Sequence, residues 1–141
     1  MRDGIDREYC RAIHPVHAVL IASTIPLFLG AVLSNWAYAS TYQIQWTNFA
    51  SWLVAGGLVF TGLALAWAVI ALLRGRRSRR GWIYAGLVAL TFISGFMTSL
   101  VLAKDAWAAM PAALILSIVT FVLAVAANWA AHSSRVLGDE T

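Results

Sequence analysis

A long stretch without charge is the feature that most constrains this fold. From Ala12 to Leu73 the sequence contains no Asp, Glu, Lys or Arg. A helix needs about 20 apolar residues, each adding about 1.5 Å, to cross the hydrocarbon core of a bilayer. The stretch is long enough for two crossings, so we expect the chain to fold within a membrane.

Composition excludes the main soluble classes. Of the 141 residues, 61% are hydrophobic and only 11% are charged, whereas a soluble domain has about 25% charged residues. So much apolar surface could not be covered in water by so few ionic groups. A single cysteine, Cys10, also excludes an intramolecular disulfide framework.

Two further uncharged segments follow, residues 81–103 and 106–134. The sequence therefore predicts an all-α integral membrane protein, a bundle of four transmembrane helices that forms one domain over residues 1–141. The predicted helices cover about 15–38, 48–73, 81–103 and 110–132. A short polar connector, residues 39–47, separates the first two.

The basic residues predict the orientation. With four spans, nine of the ten basic residues lie on one side, and only Lys104 lies on the other. The nine are Arg2, Arg7, Arg11, Arg74, Arg76, Arg77, Arg79, Arg80 and Arg135. The positive-inside rule makes that side cytoplasmic, with both termini, which places a multi-pass protein in a bacterial inner membrane. The arginine run 74–80 is interpreted as a topology signal that attracts anionic lipid, not as a nucleic-acid site.

The predicted spans offer little for catalysis. Proton-coupled transporters place ionisable groups within the membrane, and here the only such groups are histidines near span ends. GxSxG, HExxH and P-loop motifs are absent from the sequence. We therefore expect no enzymatic activity and assign no catalytic residue.

Three histidines are the candidate cofactor ligands. His14 and His17 are three residues apart at the start of the first helix, and His132 ends the fourth helix at the same level. Histidines from two helices can hold haem b or a metal. The alternative is that each ring bonds only backbone or lipid head groups. We expect no cofactor, and haem b remains the alternative.

The opposite rim is the candidate partner surface. It combines aromatic residues with one adjacent pair of opposite charges: Asn35, Trp36, Trp46, Lys104, Asp105 and Trp107. Aromatic side chains beside charges are typical of interface hot spots, although Trp and Tyr also settle at lipid head groups. Small and polar residues on the last two helices indicate close helix packing or homo-oligomerisation: Thr91, Gly95, Ser99, Ser117, Ala124 and Asn128.

Four segments resemble the bacterial membrane proteins of the domain of unknown function 2231 family. They are residues 13–18 (Ile-His-Pro-Val-His-Ala), 46–57, 104–107 (Lys-Asp-Ala-Trp) and 111–117. The resemblance spans nearly the whole chain and implies the same four-helix topology. It also implies a context, because genes of this type often lie near, or are fused to, quinoprotein sugar dehydrogenases. Leu102 replaces a histidine frequent in that family, which weakens the case for haem held from both faces.

These observations favour a non-enzymatic inner-membrane subunit or anchor for a periplasmic or membrane protein partner, such as a quinoprotein dehydrogenase. The alternative is an electron-transfer subunit that binds haem b or quinone. The lipid bilayer is an expected partner, a homo-oligomer is a further possibility, and nucleic acid is not expected.

Overall fold

The computed structural model describes residues 14–75 and 78–133, and most of these are helical. The helices in chain order are α1 (Pro15–Thr41), α2 (Gln45–Leu73), α3 (Arg79–Leu102), α4 (Ala106–Ala109) and α5 (Ala112–Ser133). Across these two ranges, four helices are long and apolar enough to cross a membrane, and no strand is present. The predicted all-helical architecture with four spans is confirmed.

The first connector is shorter than the sequence predicted. α1 continues to Thr41 instead of ending near 38, and α2 begins at Gln45 instead of near 48. The hydroxyls of Ser40 and Thr41 donate to the carbonyl oxygen of Ala37 at 3.0 and 2.7 Å, so polar residues fit into the last helical turn. Tyr42 then adopts a left-handed conformation, with φ of 56°, which ends α1.

Local chemistry also sets the ends of α3 and α5. The Ser78 hydroxyl oxygen accepts a hydrogen bond from the backbone N–H of Gly81 at 3.0 Å and so caps the start of α3. α5 begins at Ala112 instead of near 110, because Met110 is extended. Residues that precede a proline, here Pro111, disfavour the helical conformation.

The four long helices form a closed antiparallel ring. α1 packs against α2 and α5, and α3 packs against the same two helices. One end of the ring, which we call the histidine end, contains residues 14–20, 67–75, 78–84 and 128–133. The other, the connector end, contains residues 35–50 and 98–113.

The middle of the bundle is closed by an aromatic ring packed on glycines. Phe28 is 1% exposed. A Cβ atom added to Gly57 would lie 2.6 Å from the Phe28 ring, and one added to Gly95 would lie 3.5 Å from it. The two glycines therefore leave room for the Phe28 ring of α1 between α2 and α3.

Small and hydroxyl side chains fill the interior, while large apolar side chains cover the outside. Six buried hydroxyls each donate to a carbonyl three or four residues earlier in their own helix, at 2.6 to 2.8 Å: Thr24, Thr61, Thr91, Thr98, Ser117 and Thr120. Large exposed side chains include Leu29, Leu33, Val59, Leu63, Leu90, Ile93, Ile115 and Val122. Such an exterior matches lipid tails, so the molecule contacts a bilayer on its outer surface.

Much of the charge that predicts orientation lies outside the described residues. Arg2, Arg7, Arg11, Arg76, Arg77 and Arg135 belong to this group, as does Cys10. Arg74, Arg79 and Arg80 lie at the histidine end, and Lys104 lies at the connector end. The side of the membrane on which each end lies remains a prediction from the sequence.

Candidate functional site

Two histidines and two aromatic residues form a cluster at the histidine end. His14 directly precedes α1 and His17 lies in its first turn. Both rings contact the Trp67 ring of α2, with centroid distances of 5.2 and 5.8 Å. The Tyr84 ring of α3 meets the edge of the His17 ring at 5.6 Å. We call these four residues the histidine cluster.

His17 is the buried centre of this cluster. Its side chain is 7% exposed, and its Nε2 atom shares a hydrogen bond of 2.8 Å with the Tyr84 hydroxyl. When the hydroxyl donates, Nδ1 carries the ring proton; when Nε2 donates, Nδ1 is an acceptor. In both tautomers Nδ1 is buried without a hydrogen-bond partner among residues 14–75 and 78–133.

His132 lies in the last turn of α5 and is bonded within its own helix. Its Nδ1–H group donates a hydrogen bond of 2.8 Å to the backbone oxygen of Asn128, one turn earlier in α5. No group of three or more His, Cys, Asp or Glu side chains placed to hold a metal ion occurs in the part of the chain that the structure describes.

At the connector end, a ring stack joins the two connectors. The rings of Tyr42 and Trp107 lie 5.3 Å apart and 17° from parallel, and both are exposed, by 62% and 78%. Trp36 is exposed as well. Lys104 and Asp105 lie exposed on the same connector as Trp107. We call these five residues, which all lie exposed at the connector end, the connector rim.

The other two predicted rim residues are placed differently. Trp46 is half-buried, with its ring 6.0 Å from that of Phe49. Asn35 is fully buried, with 0% exposure, and points into the bundle. It is therefore not part of the surface that a partner could touch.

Sequence reasoning identified the histidines but missed Trp67 and Tyr84 as their neighbours. The available signal was the position of these aromatic residues near the ends of their helices, at the same level as His14 and His17. Which side of its helix each ring occupies depends on how the helices pack, and the sequence does not contain that information in a simple pattern.

A family model described as "Predicted membrane protein (DUF2231)" matches residues 13–132. No curated protein and no solved structure matches the chain.

Proposed function

Because the chain belongs to the DUF2231 family of predicted membrane proteins, we propose that it is a non-enzymatic membrane subunit whose connector rim holds a protein partner. The observation that carries this proposal is the Tyr42–Trp107 stack, since it joins two separate connectors into one exposed surface.

The composition of the rim suits recognition of a protein. Tyr and Trp offer large contact area and lose little conformational freedom on binding, and interface hot spots are enriched in both. Lys104 and Asp105 add one charge of each sign beside Trp107. Being adjacent in sequence, these two residues gain little from each other, so their charges remain free to pair with a partner.

The expected partner follows from orientation and from the family resemblance. If the connector end faces the periplasm, as the basic residues predict, the rim meets proteins of that compartment. A quinoprotein dehydrogenase is the partner that the resemblance suggests. In this arrangement the bundle anchors the enzyme, and catalysis takes place in the partner.

Affinity purification in mild detergent from the native host tests the proposal. The wild-type chain is expected to retain a stoichiometric partner, and the double variant Asp105→Ala/Trp107→Ala is expected to lose it while keeping normal abundance in the membrane. Trp129→Ala is the matched control, because Trp129 is 76% exposed but lies at the histidine end.

Two outcomes would contradict the proposal. One is a wild-type chain that retains no stoichiometric partner. The other is a partner that the double variant retains but that is lost when Arg79 and Arg80 are replaced by Gln without a change in topology. The second result would place recognition at the histidine end.

A second candidate function rests on the histidine cluster: an electron-transfer subunit that binds a quinone or haem b. A quinone carbonyl accepts hydrogen bonds, and the Nδ1 atom of His17 provides a buried donor in one of its tautomers. Trp67 adds a flat ring beside both histidines and is 41% exposed on the lipid side. Haem ligation fits less well, because Nε2 of His17 is already bonded to Tyr84.

Binding measurements on the purified chain in lipid nanodiscs distinguish the two functions. A short-chain ubiquinone bound at the cluster should quench tryptophan fluorescence saturably. His17→Leu and Trp67→Phe should remove that component, whereas Trp129→Phe should not. Equal, non-saturable quenching in all four proteins would rule the quinone site out. A Soret band lost in His14→Ala, His17→Ala or His132→Ala would instead indicate haem b.

A further inference from the structure

Asn35 has the least satisfied polar side chain of the bundle interior. It is 0% exposed, and both its Nδ2 and its Oδ1 atoms are buried without a hydrogen-bond partner among the described residues. An amide buried in this way loses the hydrogen bonds that it makes to water in the unfolded chain, which is costly unless something replaces them.

A second buried asparagine shows how this bundle satisfies an amide within itself. The Nδ2 atom of Asn128 on α5 donates to the carbonyl oxygens of Ile21 at 2.8 Å and Ala124 at 3.0 Å, and it lies 3.3 Å from the Thr24 hydroxyl oxygen. Interior carbonyls and hydroxyls are therefore able to reach an amide at the level of Asn128. At the level of Asn35, no carbonyl or hydroxyl of residues 14–75 and 78–133 bonds the amide.

The pairing of the helices identifies what lies opposite Asn35. α1 and α5 run antiparallel, and Asn128 lies beside Ile21 and Thr24. Moving 11 to 14 residues along α1 to Asn35 therefore moves the same distance back along α5, to about residue 115. The inward-facing residues nearest that position are Ala113 and Ser117, which are 0% and 1% exposed.

Small side chains and hydroxyls predominate at this level on the other helices too. The contact between Phe28 and Gly57 places Ala50 of α2 near the level of Asn35. The contacts of Thr120 with Ser94 and Thr98 place Thr98 of α3 near the level of Ser117. Ala50 and Thr98 are both 0% exposed.

The hydroxyls at this level keep spare acceptor capacity. Ser117 donates its proton to the carbonyl of Leu114, and Thr98 donates its own to the carbonyl of Ser94, both at 2.8 Å. Each hydroxyl oxygen still has lone pairs that can accept a hydrogen bond. On α1, the buried rings of Phe28 and Tyr38 lie before and after Asn35. Only a very small ligand would fit beside the Asn35 amide.

We propose that Asn35 forms an internal hydration site in the connector half of the bundle, where water bonds its amide and the hydroxyl oxygens of Ser117 and Thr98. Buried waters typically make about three hydrogen bonds to polar groups that otherwise have no partner. This site is independent of the connector rim and of the histidine cluster, because Asn35 belongs to neither.

The three asparagines of the chain provide a complete set of probes. Asn48 is exposed, Asn128 is buried and bonded within the protein, and Asn35 is buried and unbonded. Selective ¹⁵N labelling of asparagine gives three side-chain amide signals from the full chain in lipid bilayers. Water-edited solid-state NMR then measures how fast magnetisation passes from water to each amide, and Asn35→Gln and Asn128→Gln assign the signals.

If water bonds the Asn35 amide directly, magnetisation from water should reach this amide about as fast as it reaches Asn48, and faster than it reaches Asn128. For Asn35 and Asn128 this is the opposite of what exposure alone predicts, because Asn35 is 0% exposed and Asn128 is 7% exposed. Build-up at Asn35 as slow as at Asn128 would overturn the proposal. Ser117→Ala removes one of the hydroxyl oxygens that hold the water, so it should slow the transfer to Asn35 and leave that to Asn48 and Asn128 unchanged. Transfer to Asn35 that stays as fast as in the wild type would contradict the part of Ser117 in the site.

Discussion

At the scale of single residues, Asn128 connects two helices that are far apart in sequence. Its amide donates to the carbonyl of Ile21 on α1, and its own helix supplies another acceptor. We expect Asn128→Ala to lower the free energy of unfolding by about 1 kcal/mol, the usual size of an interhelical hydrogen bond in a membrane protein. Unfolding in mixed micelles, followed by circular dichroism, measures this loss. Asn48→Ala, at an exposed position, should change stability by less than about 0.5 kcal/mol, and an equal loss in both variants would contradict the assignment.

Tyr84 makes the corresponding link between α3 and α1. Replacing it by phenylalanine removes the hydroxyl that bonds Nε2 of His17 and leaves both ring nitrogens without a partner in the described chain. Tyr84→Phe should cost about 1 kcal/mol in the same assay. Tyr42→Phe is the control, because the exposed ring of Tyr42 keeps its stack with Trp107 without the hydroxyl. No difference between the two variants would show that the Tyr84 bond does not stabilise the bundle.

These residue contacts mark the limit of what the sequence predicts. His14, His17 and His132 were identifiable from their types and positions, but the Tyr84 partner of His17 is 67 residues away. Asn35 was expected on the rim because it lies near the end of the first predicted span. In a membrane helix the lipid side is as apolar as the interior, so hydrophobic periodicity does not show that Asn35 faces inward.

At the scale of helices, the positions of small and polar residues predicted which faces pack against neighbouring helices, whereas hydrophobicity did not. Six residues of α3 and α5 were predicted to permit close packing, and five of them are buried: Thr91, Gly95, Ser117, Ala124 and Asn128. The sixth, Ser99, is only half-buried. The four helices were also predictable, because charged and polar residues interrupt the apolar segments. Their ends were not, since Ser40 and similar residues bond their own helix and extend it.

The packing of α2 on α1 makes a testable prediction for this scale. Gly57→Ala places a methyl group 2.6 Å from the ring of Phe28, which is buried and has little room to move. We expect a loss of about 1–3 kcal/mol in unfolding free energy from overpacking. Gly86→Ala is the matched control, because nothing lies within 4 Å of the added carbon, and alanine favours a helix over glycine by up to about 1 kcal/mol.

A double variant shows whether the Phe28 ring is the cause. Phe28→Leu shortens the side chain that the new methyl group would meet, so Gly57→Ala should cost less in that background than in the wild type. Such coupling is expected only between residues in contact. Additive effects of the two substitutions would contradict the packing described for the middle of the bundle.

At the scale of the whole molecule, the ring of four antiparallel helices brings the end of α5 back to the histidine end, where α1 begins. Its two connectors at residues 42–44 and 103–111 share one end, and nine of ten basic residues are predicted to lie at the other. From this distribution the positive-inside rule predicts that the histidine end faces the cytoplasm and the connector rim faces the periplasm. This orientation decides which proteins each surface can meet, so it bears on both proposed functions.

Cysteine labelling in intact cells tests the orientation. A membrane-impermeant maleimide should label Gln43→Cys in a Cys10→Ser background, because Gln43 is exposed between α1 and α2. The wild-type chain, whose single cysteine is Cys10, should be labelled only after the cells are permeabilised. Alkaline phosphatase fused after Thr141 should be inactive, and a fluorescent protein fused there should be fluorescent. Labelling of Cys10 but not of residue 43 from outside, together with active phosphatase, would place the connector rim in the cytoplasm. A quinoprotein dehydrogenase of the periplasm could then no longer be its partner.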